Sequence, residues 1–304
     1  MPRFGAHLSI AGGVDQAALK ARRIKADTLQ LFVKSPSQWR FAALEDEQVR
    51  RFRAEARQAN LAPLIAHASY LVNLASPDAA LWEKSQRCAL EEWDRAQRLG
   101  LDYFVVHPGA HMGSGEASGL DRIARALERL RHERPDHTVR ILLETTAGAG
   151  TVLCGRIEHL GHLIRRCDPE TGSEDRTWVP AGLAGPCGDF WLGVCIDTCH
   201  LWAAGYDLRT RQAIDDLLGR LDEAIGPGRV AVVHANDACG SLGSHLDRHE
   251  HIGRGRLGRE TFRLLVHHPA LAALPFILET PKEDARGRKM DPINLRTLRR
   301  LASE

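Results

Sequence analysis

The chain has 304 residues, 43% of them hydrophobic, enough for one large core and within the usual size of a (β/α)8 barrel carrying insertions. Its formal net charge is +2, and its 35 Arg and 6 Lys are spread rather than blocked, so electrostatics alone does not call for nucleic acid. Seven cysteines without secretory spacing, no basic-plus-apolar leader and no apolar run of membrane-spanning length lead to the expectation of a reduced, cytoplasmic protein with no membrane partner.

Short apolar, β-rich runs alternate with amphipathic stretches along the whole chain. The predicted strands are RFGAHLS (3–9), DTLQLFV (27–33), APLIAHAS (62–69), DYFVVHPG (102–109), RILLETT (140–146), WLGVCIDTCH (191–200), VAVVHAND (230–237) and PFILET (275–280). Between them, LEDEQVRRFRAEARQAN, ALWEKSQRCALEEWDRAQRLG and RQAIDDLLGRLDEAIG place apolar residues three or four apart with charges opposite, as does the stripe Leu120, Ile123, Leu127 and Leu130. Strands covered on both faces read as near-continuous apolar runs, and eight of them, each followed by a helix, predict a closed parallel (β/α)8 TIM barrel. The strand ends recur at an average of about 40 residues, one βα unit of such a barrel. No linker divides the chain, so one domain over 1–304 is expected. The Gly-, Pro- and charge-rich run 166–190, with Cys167 and Cys187, reads as a surface insertion on the face away from the chemistry.

Most of these strands end on a residue that can bind a metal, at the barrel face where active sites are built. His67, His107, Glu144, Asp197 with His200, His234 and Glu279 close the third to eighth strands, and Asp247 and His249 follow in HLDRHEHIG. One such histidine alone reads as a hydrogen-bonded core residue. Together on one rim, carboxylates and imidazoles would repel or stay unsatisfied without cations between them. Nine donors exceed the needs of one ion. With one carboxylate bridging they suffice for three, and mixed nitrogen and oxygen donors without thiolate suit Zn2+, with Mn2+ or Fe2+ as alternatives at one position. Several ions with open positions favour hydrolysis of a phosphodiester.

At this point the sequence resembles endonuclease IV, the metal-dependent apurinic/apyrimidinic endonuclease family. The resemblance runs from GAHLSIAGG (5–13) through HPGAH (107–111), LETTAGAGT (143–151), GVCIDTCHLWAAGYDLRT (193–210) and HANDACGSLGSHLDRHEHIG (234–253) to ILET (277–280). It implies a trinuclear zinc site. His67 and His107 would share the first ion with bridging Glu144; Glu144, Asp197, His234 and Glu279 would hold the second; His200, Asp247 and His249 would hold the third. Glu144 and Glu279 are the carboxylates placed closest to the chemistry, and His7 takes a positioning role behind the ligands. The implied reaction is cleavage 5′ to an abasic site in duplex DNA, leaving a 3′-hydroxyl and a 5′-deoxyribose phosphate, together with removal of 3′-blocking groups. The implied partner is double-stranded DNA with abasic or 3′-blocked sites, met by a monomer.

Such a reaction requires the sugar to swing out of the duplex. Tyr70 and Leu71, in HASYLVNL (67–74), match the family's apolar wedge, and Lys34, Gln38 and Trp39 belong to the other expected DNA loop, VKSPSQWR. His111, His245 and His251 flank ligand positions without matching them. Cys195 and Cys199 share the parity of Asp197 and read as packed thiols. Ser37, Cys239 and Arg254 depart from the family pattern (an Arg, a Lys and a Glu are usual there), which bears on DNA affinity and not on the donors. Two rival readings are a xylose-isomerase-like sugar isomerase or epimerase, which has no evident use for Asp247, His249 or the wedge, and a non-catalytic damaged-DNA binder.

Overall fold

In the computed structural model, which describes residues 2–40, 42–168 and 191–304, eight parallel strands close into a barrel. They are β1 (Arg3–Leu8), β2 (Thr28–Phe32), β3 (Leu64–His67), β4 (Tyr103–Val106), β5 (Arg140–Glu144), β6 (Leu192–Asp197), β7 (Val230–His234) and β10 (Pro275–Leu278). Each pairs with its neighbours in this order, and β10 returns to β1 through Arg3↔Pro275 to Ala6↔Leu278. The eight runs read from the sequence are these eight strands. A two-residue antiparallel pair, β8 (Asp237–Ala238) and β9 (His249–Glu250), lies in the connection after β7 and has no periodicity long enough to be read from sequence.

The outer layer consists of α1 (Val14–Arg23), α2 (Asp46–Gln58), α3 (Ala79–Leu99), α4 (Glu116–Glu133), α5 (Ile157–Cys167), α7 (Arg211–Ile225), α8 (Gly258–His267) and α9 (Asp291–Ser303), while the short, fully buried α6 (Thr198–Ala203) lies at the end of β6. Local chemistry starts and stops them. Glu45 and Gln48 form a capping box on α2, Asp78 accepts the Leu81 amide at 2.7 Å to open α3, and Gly100 ends α3 in the left-handed region at φ 73°. The insertion read at 166–190 lies outside the described residues from 169 onward, Cys187 included. Cys167 is half-buried at the end of α5, and burial pushes its thiol up to about 12. No helix among the described residues is long and apolar enough to cross a membrane.

Strand alternation sorts the core into two parts. Phe4, Leu29, Leu31, Ala66, Phe104, Leu143, Val194, Val233, Phe276 and Leu278 join the large apolar layer under the helices. The positions between them point into the barrel, where Ile65, Tyr103, Val105, Leu142, Cys195, Val232 and Ile277 form a separate apolar cluster, joined by Ala231 of the opposite parity. Cys195 is thus a packed interior thiol directly below Asp197, whereas Cys199 packs in the outer layer. At the next inward position on most strands the apolar floor ends and the polar residues begin.

The loops over this floor are tied down by buried polar groups. Glu92 on α3 pairs with Lys34 at 3.0 Å, accepts the Ser69 amide at 2.8 Å and meets Cys88 Sγ at 3.2 Å, so one carboxylate holds the loops after β2 and β3 together. Asn73 does the same between the loops after β3 and β4: its Oδ1 accepts from Ala75 and Ala110, and a Cβ at Gly109 (φ 122°) would collide with that oxygen. Both members of the Lys34–Glu92 pair are 1% exposed at their side chains, and removing one leaves the other charge buried. Glu92→Leu is therefore expected to lower stability by about 3–5 kcal/mol in equilibrium denaturant unfolding. A loss below about 1 kcal/mol would mean that Lys34 reaches water once freed.

Candidate metal centre

The last inward-facing positions converge above the apolar floor. His67 and Glu144 end β3 and β5, Asp197 ends β6, His234 ends β7, and His107 and Glu279 follow β4 and β10 by one residue. Donor atoms fall into three groups, each within 4.8 Å: His67, His107 and Glu144; Glu144, Asp197, His234 and Glu279; and His200, Asp247 and His249. The nine residues singled out from the sequence thus come together, and in the grouping the resemblance implies. A fourth grouping, Asp197 with Cys199 and His249, overlaps them.

Glu144 lies at the centre and is fully buried. Its Oε2 is 3.2 Å from His67 Nε2 and 2.9 Å from His107 Nε2; its Oε1 is 2.9 Å from His234 Nδ1 and 3.3 Å from His200 Nδ1. Burial alone would raise the Glu144 carboxyl, but His107 and His234 hold it well below the usual carboxylate range. Glu279 Oε2 and Asp197 Oδ2 face the same His234 nitrogen at 3.2 and 3.8 Å. On the outer loop, Asp247 Oδ1 lies 3.1 Å from His200 Nε2 and 3.3 Å from His249 Nε2.

The fit to cations is decided by the far side of each ring. A backbone carbonyl can only accept, so a ring nitrogen bonded to one carries the hydrogen and leaves the other nitrogen as a donor to metal. His67 Nδ1 gives its hydrogen to Ala68 O at 2.7 Å, His200 Nδ1 to Thr145 O at 2.8 Å, and His249 Nδ1 to Glu279 O at 3.2 Å. The opposite nitrogens all point into the donor groups. His200 Nε2 and His249 Nε2 are buried and, among the described residues, make no hydrogen bond. Lone pairs aimed at carboxylate oxygens need a proton or a metal ion between them.

The sequence supplies this geometry locally. Asp197 caps α6, its Oδ1 accepting the His200 amide at 2.9 Å, so the same turn that starts the helix fixes both donors. Its Oδ2 accepts from Asn236 Nδ2 at 2.6 Å, and Asn236 Oδ1 accepts the Glu279 amide at 2.8 Å. The loop bearing Asp247 and His249 is anchored by Asp237, whose carboxylate accepts the amides of Ala238, Gly255, Leu257 and Gly258.

His7 supports the centre from β1. Its Nδ1 is 2.9 Å from Glu279 Oε1, and burial lowers its pKa to about 4, which keeps the ring neutral. His111, His245 and His251 point elsewhere: His111 Nδ1 accepts the Gly115 amide, His245 Nδ1 meets Ala147 O, and His251 is buried against Asn294. Gln30, Thr145 and Asn236 are the contributors that sequence reasoning missed. For Gln30 the signal was a polar residue in the middle of the apolar run TLQLF.

Among the expected DNA contacts, Lys34 is corrected. It is buried in the Glu92 pair and also donates to Gln38 O at 2.7 Å, so it holds its loop and presents no charge to a phosphate. Its partner is remote in sequence, which is why Lys34 read as a DNA contact. Gln38 is exposed; Trp39 is half-buried against the outer core with Lys84 Nζ 4.3 Å from its ring centre. Tyr70 is 70% exposed and stands edge-on to Phe32, and Leu71 is half-buried beside it. Beside Glu279, a cleft of about 330 Å³ is lined by His7, Phe32, Tyr70 and Lys282 among others. Ser37 and Arg254 are exposed, and Cys239 Sγ rests on His249 O at 3.6 Å.

Fold and donor arrangement define a class: a parallel (β/α)8 barrel with metal-binding groups gathered on its C-terminal rim. A family model described as a xylose isomerase-like TIM barrel matches residues 18–173 and 182–301. The chain is 43% identical over 304 residues to a probable endonuclease 4 of Chloroflexus aggregans, covering 100% of both chains. It superposes on the crystal structure of endonuclease IV from Thermus thermophilus with a TM-score of 0.81 at 36% identity, covering 99% of each. A D-tagatose 3-epimerase-like protein, 17% identical with a TM-score of 0.69 over 99% of this chain and 97% of that one, shares the fold. The chain belongs to the endonuclease IV family of xylose isomerase-like barrels.

The charge pattern predicts a pH signature. Burial would lower the His249 pKa, but Asp197 and Asp247 raise it to about 9. Without metal, this group's stabilisation is complete below its ordinary value of 6.5 and is lost as pH rises through about 9. Glu144, Glu279 and Asp247 are held low, so their contribution is lost instead as pH falls below the ordinary carboxylate range. Melting temperatures of chelator-treated protein should therefore decline between about pH 6.5 and 9, and added zinc should remove that decline because the ion replaces the protons. A metal-free melt that is flat over this window would contradict the assignment of the paired imidazoles.

Proposed function

We propose that this chain is a zinc-dependent endonuclease that cuts duplex DNA 5′ to abasic sites, leaving a 3′-hydroxyl and a 5′-deoxyribose phosphate, and that also clears blocked 3′ ends. It acts as a monomer of one barrel domain. The observation that carries the reading is the grouping of nine donors around buried Glu144, with ring nitrogens turned inward by hydrogen bonds behind them. The endonuclease 4 named for its relative supplies the substrate class.

His67, His107 and Glu144 would hold one ion, Glu144, Asp197, His234 and Glu279 a second, and His200, Asp247 and His249 a third. Bound zinc supplies a water acidic enough to attack near neutral pH and positive charge against the phosphodiester and its leaving oxygen. The four carboxylates would not cancel three bound dications, so the loaded rim would be positive toward a phosphodiester. Glu144 spans two donor groups and so sets the distance between them. Glu279 stands at the cleft wall, where His7 fixes one of its oxygens and leaves the other turned toward His234.

Around this floor the two loops tied by Glu92 present the DNA-facing side chains. Tyr70 is solvent-exposed and braced by Phe32, which suits an aromatic that fills the gap left in the duplex when the abasic nucleotide swings out. Leu71 adds apolar surface, Gln38 faces solvent, and Trp39 supports the loop from behind. Lys34 acts one step further back, through Glu92.

A duplex with a single abasic site is expected to be nicked by zinc-loaded protein and left intact after chelation. Tight binding without cleavage would make the protein a damage binder, and sugar turnover without nicking would make it an epimerase. Glu144→Gln and Glu279→Gln should each lower incision by more than about a hundredfold, beyond the usual cost of losing a ligand's outer partner, with the fold retained by circular dichroism. Tyr70→Ala should weaken binding to abasic duplex by about 1–3 kcal/mol while zinc content stays at the wild-type level. A change in zinc content would remove Tyr70 from the DNA surface and place it in support of the metals.

A further inference from the structure

Three of the histidines in the metal centre have their outward nitrogen held by a backbone carbonyl, which no substitution can remove. His234 is different. Its Nε2 lies 2.8 Å from Oε1 of Gln30, a fully buried residue at the middle of β2. The same side chain donates from Nε2 to Glu279 Oε1 at 2.7 Å and lies 3.0 Å from His7 Nδ1. Which end of the amide faces which partner is not arbitrary. The Glu279 carboxylate can only accept, so the amide nitrogen must face it, and the amide oxygen is left for His234. His234 Nε2 then carries the hydrogen, and Nδ1 is the atom free to bind, 2.9 Å from Glu144 Oε1 and 3.2 Å from Glu279 Oε2.

We infer that Gln30 is a positioning residue for the four-donor group, orienting His234 through its amide oxygen and Glu279 through its amide nitrogen so that both address one ion; this rests on the metal reading above. The two bonds act on different donors of the same group. On Glu279 they are also selective: Oε1 is occupied by Gln30 and His7, so Oε2 is the oxygen presented to His234. Gln30 sits one layer beneath the donors, fully buried, and is absent from the lining of the cleft beside Glu279. Its role is therefore played on the ligands and not on the substrate.

The test replaces Gln30 by Leu and, separately, by Met, which fill similar space without the amide's N–H donors or its carbonyl acceptor. Zinc-loaded wild type and variants are titrated with a chelator while released zinc is counted per chain. Both variants should release one ion at an affinity about 10–100-fold weaker than wild type, the usual cost of losing a ligand's outer partner, with the remaining ions unmoved. At saturating zinc, KM for an abasic duplex should stay within about twofold of wild type while kcat falls, since Gln30 touches donors and not DNA. Thermal unfolding of the metal-free proteins controls for packing. A loss of stability equal with and without zinc would assign Gln30 to the core alone and overturn the inference. Release curves that superpose on wild type would also overturn it, leaving the proposed nuclease intact. A wild-type chain that retains no zinc would overturn both. Should the Leu variant not fold, the Met variant carries the same comparison.

Discussion

A fully buried carboxylate with four imidazole nitrogens between 2.9 and 3.3 Å from its oxygens is the constraint from which the rest of this structure follows. Glu144 sits at the last inward position of its strand, one residue above the apolar floor of the barrel. A charge there is tolerable only because imidazoles from the ends of β3, β4 and β7 and from the turn after β6 close around it. The barrel makes this possible by geometry: parallel strands in register bring their ends to one rim, and strict alternation decides which side chain at each end looks inward. An apolar layer below and a polar layer above are thus two consecutive inward positions of the same strands.

The supports around the centre share one device, in which a single buried polar side chain serves two elements. Asp197 caps a helix with one oxygen and faces His234 and His249 with the other. Asn236 joins Asp197 to the backbone of Glu279. Glu92 binds Lys34 and the Ser69 amide, and so ties together the two loops that flank the cleft. Gln30 spans His234 and Glu279 in the same way. Such groups rigidify when fully satisfied, and each ties the donors to the scaffold more closely than apolar packing would.

The barrel was legible because its signal is repeated: eight apolar runs and the amphipathic stretches between them each report the same architecture, and an ambiguous one is corrected by the others. Seven of the donors were legible because they close those runs, where a His, Asp or Glu stands against the hydrophobic pattern; Asp247 and His249, in a loop, were legible only through the family motif. Less legible were residues whose role depends on a remote partner. Lys34 read as a loop charge available to DNA, yet Glu92 lies on another element and draws it inside. Gln30 drew no reading of its own inside its apolar strand. The short β8–β9 pair that carries His249 is too small to have a period at all.

By itself, the sequence determined the parallel barrel, the rim on which the chemistry is built and the seven candidate donors that close its strands, because periodicity and strand-end chemistry are local properties of the chain; Asp247 and His249, in a loop with other histidines, were singled out by the family resemblance. Only the tertiary structure decided which ring nitrogen faces inward, which carboxylate oxygen is already occupied and which loop lysine is spent on an internal pair. Those outcomes depend on hydrogen bonds between residues far apart in sequence, and such bonds are specified by the closed barrel and not by any segment within it.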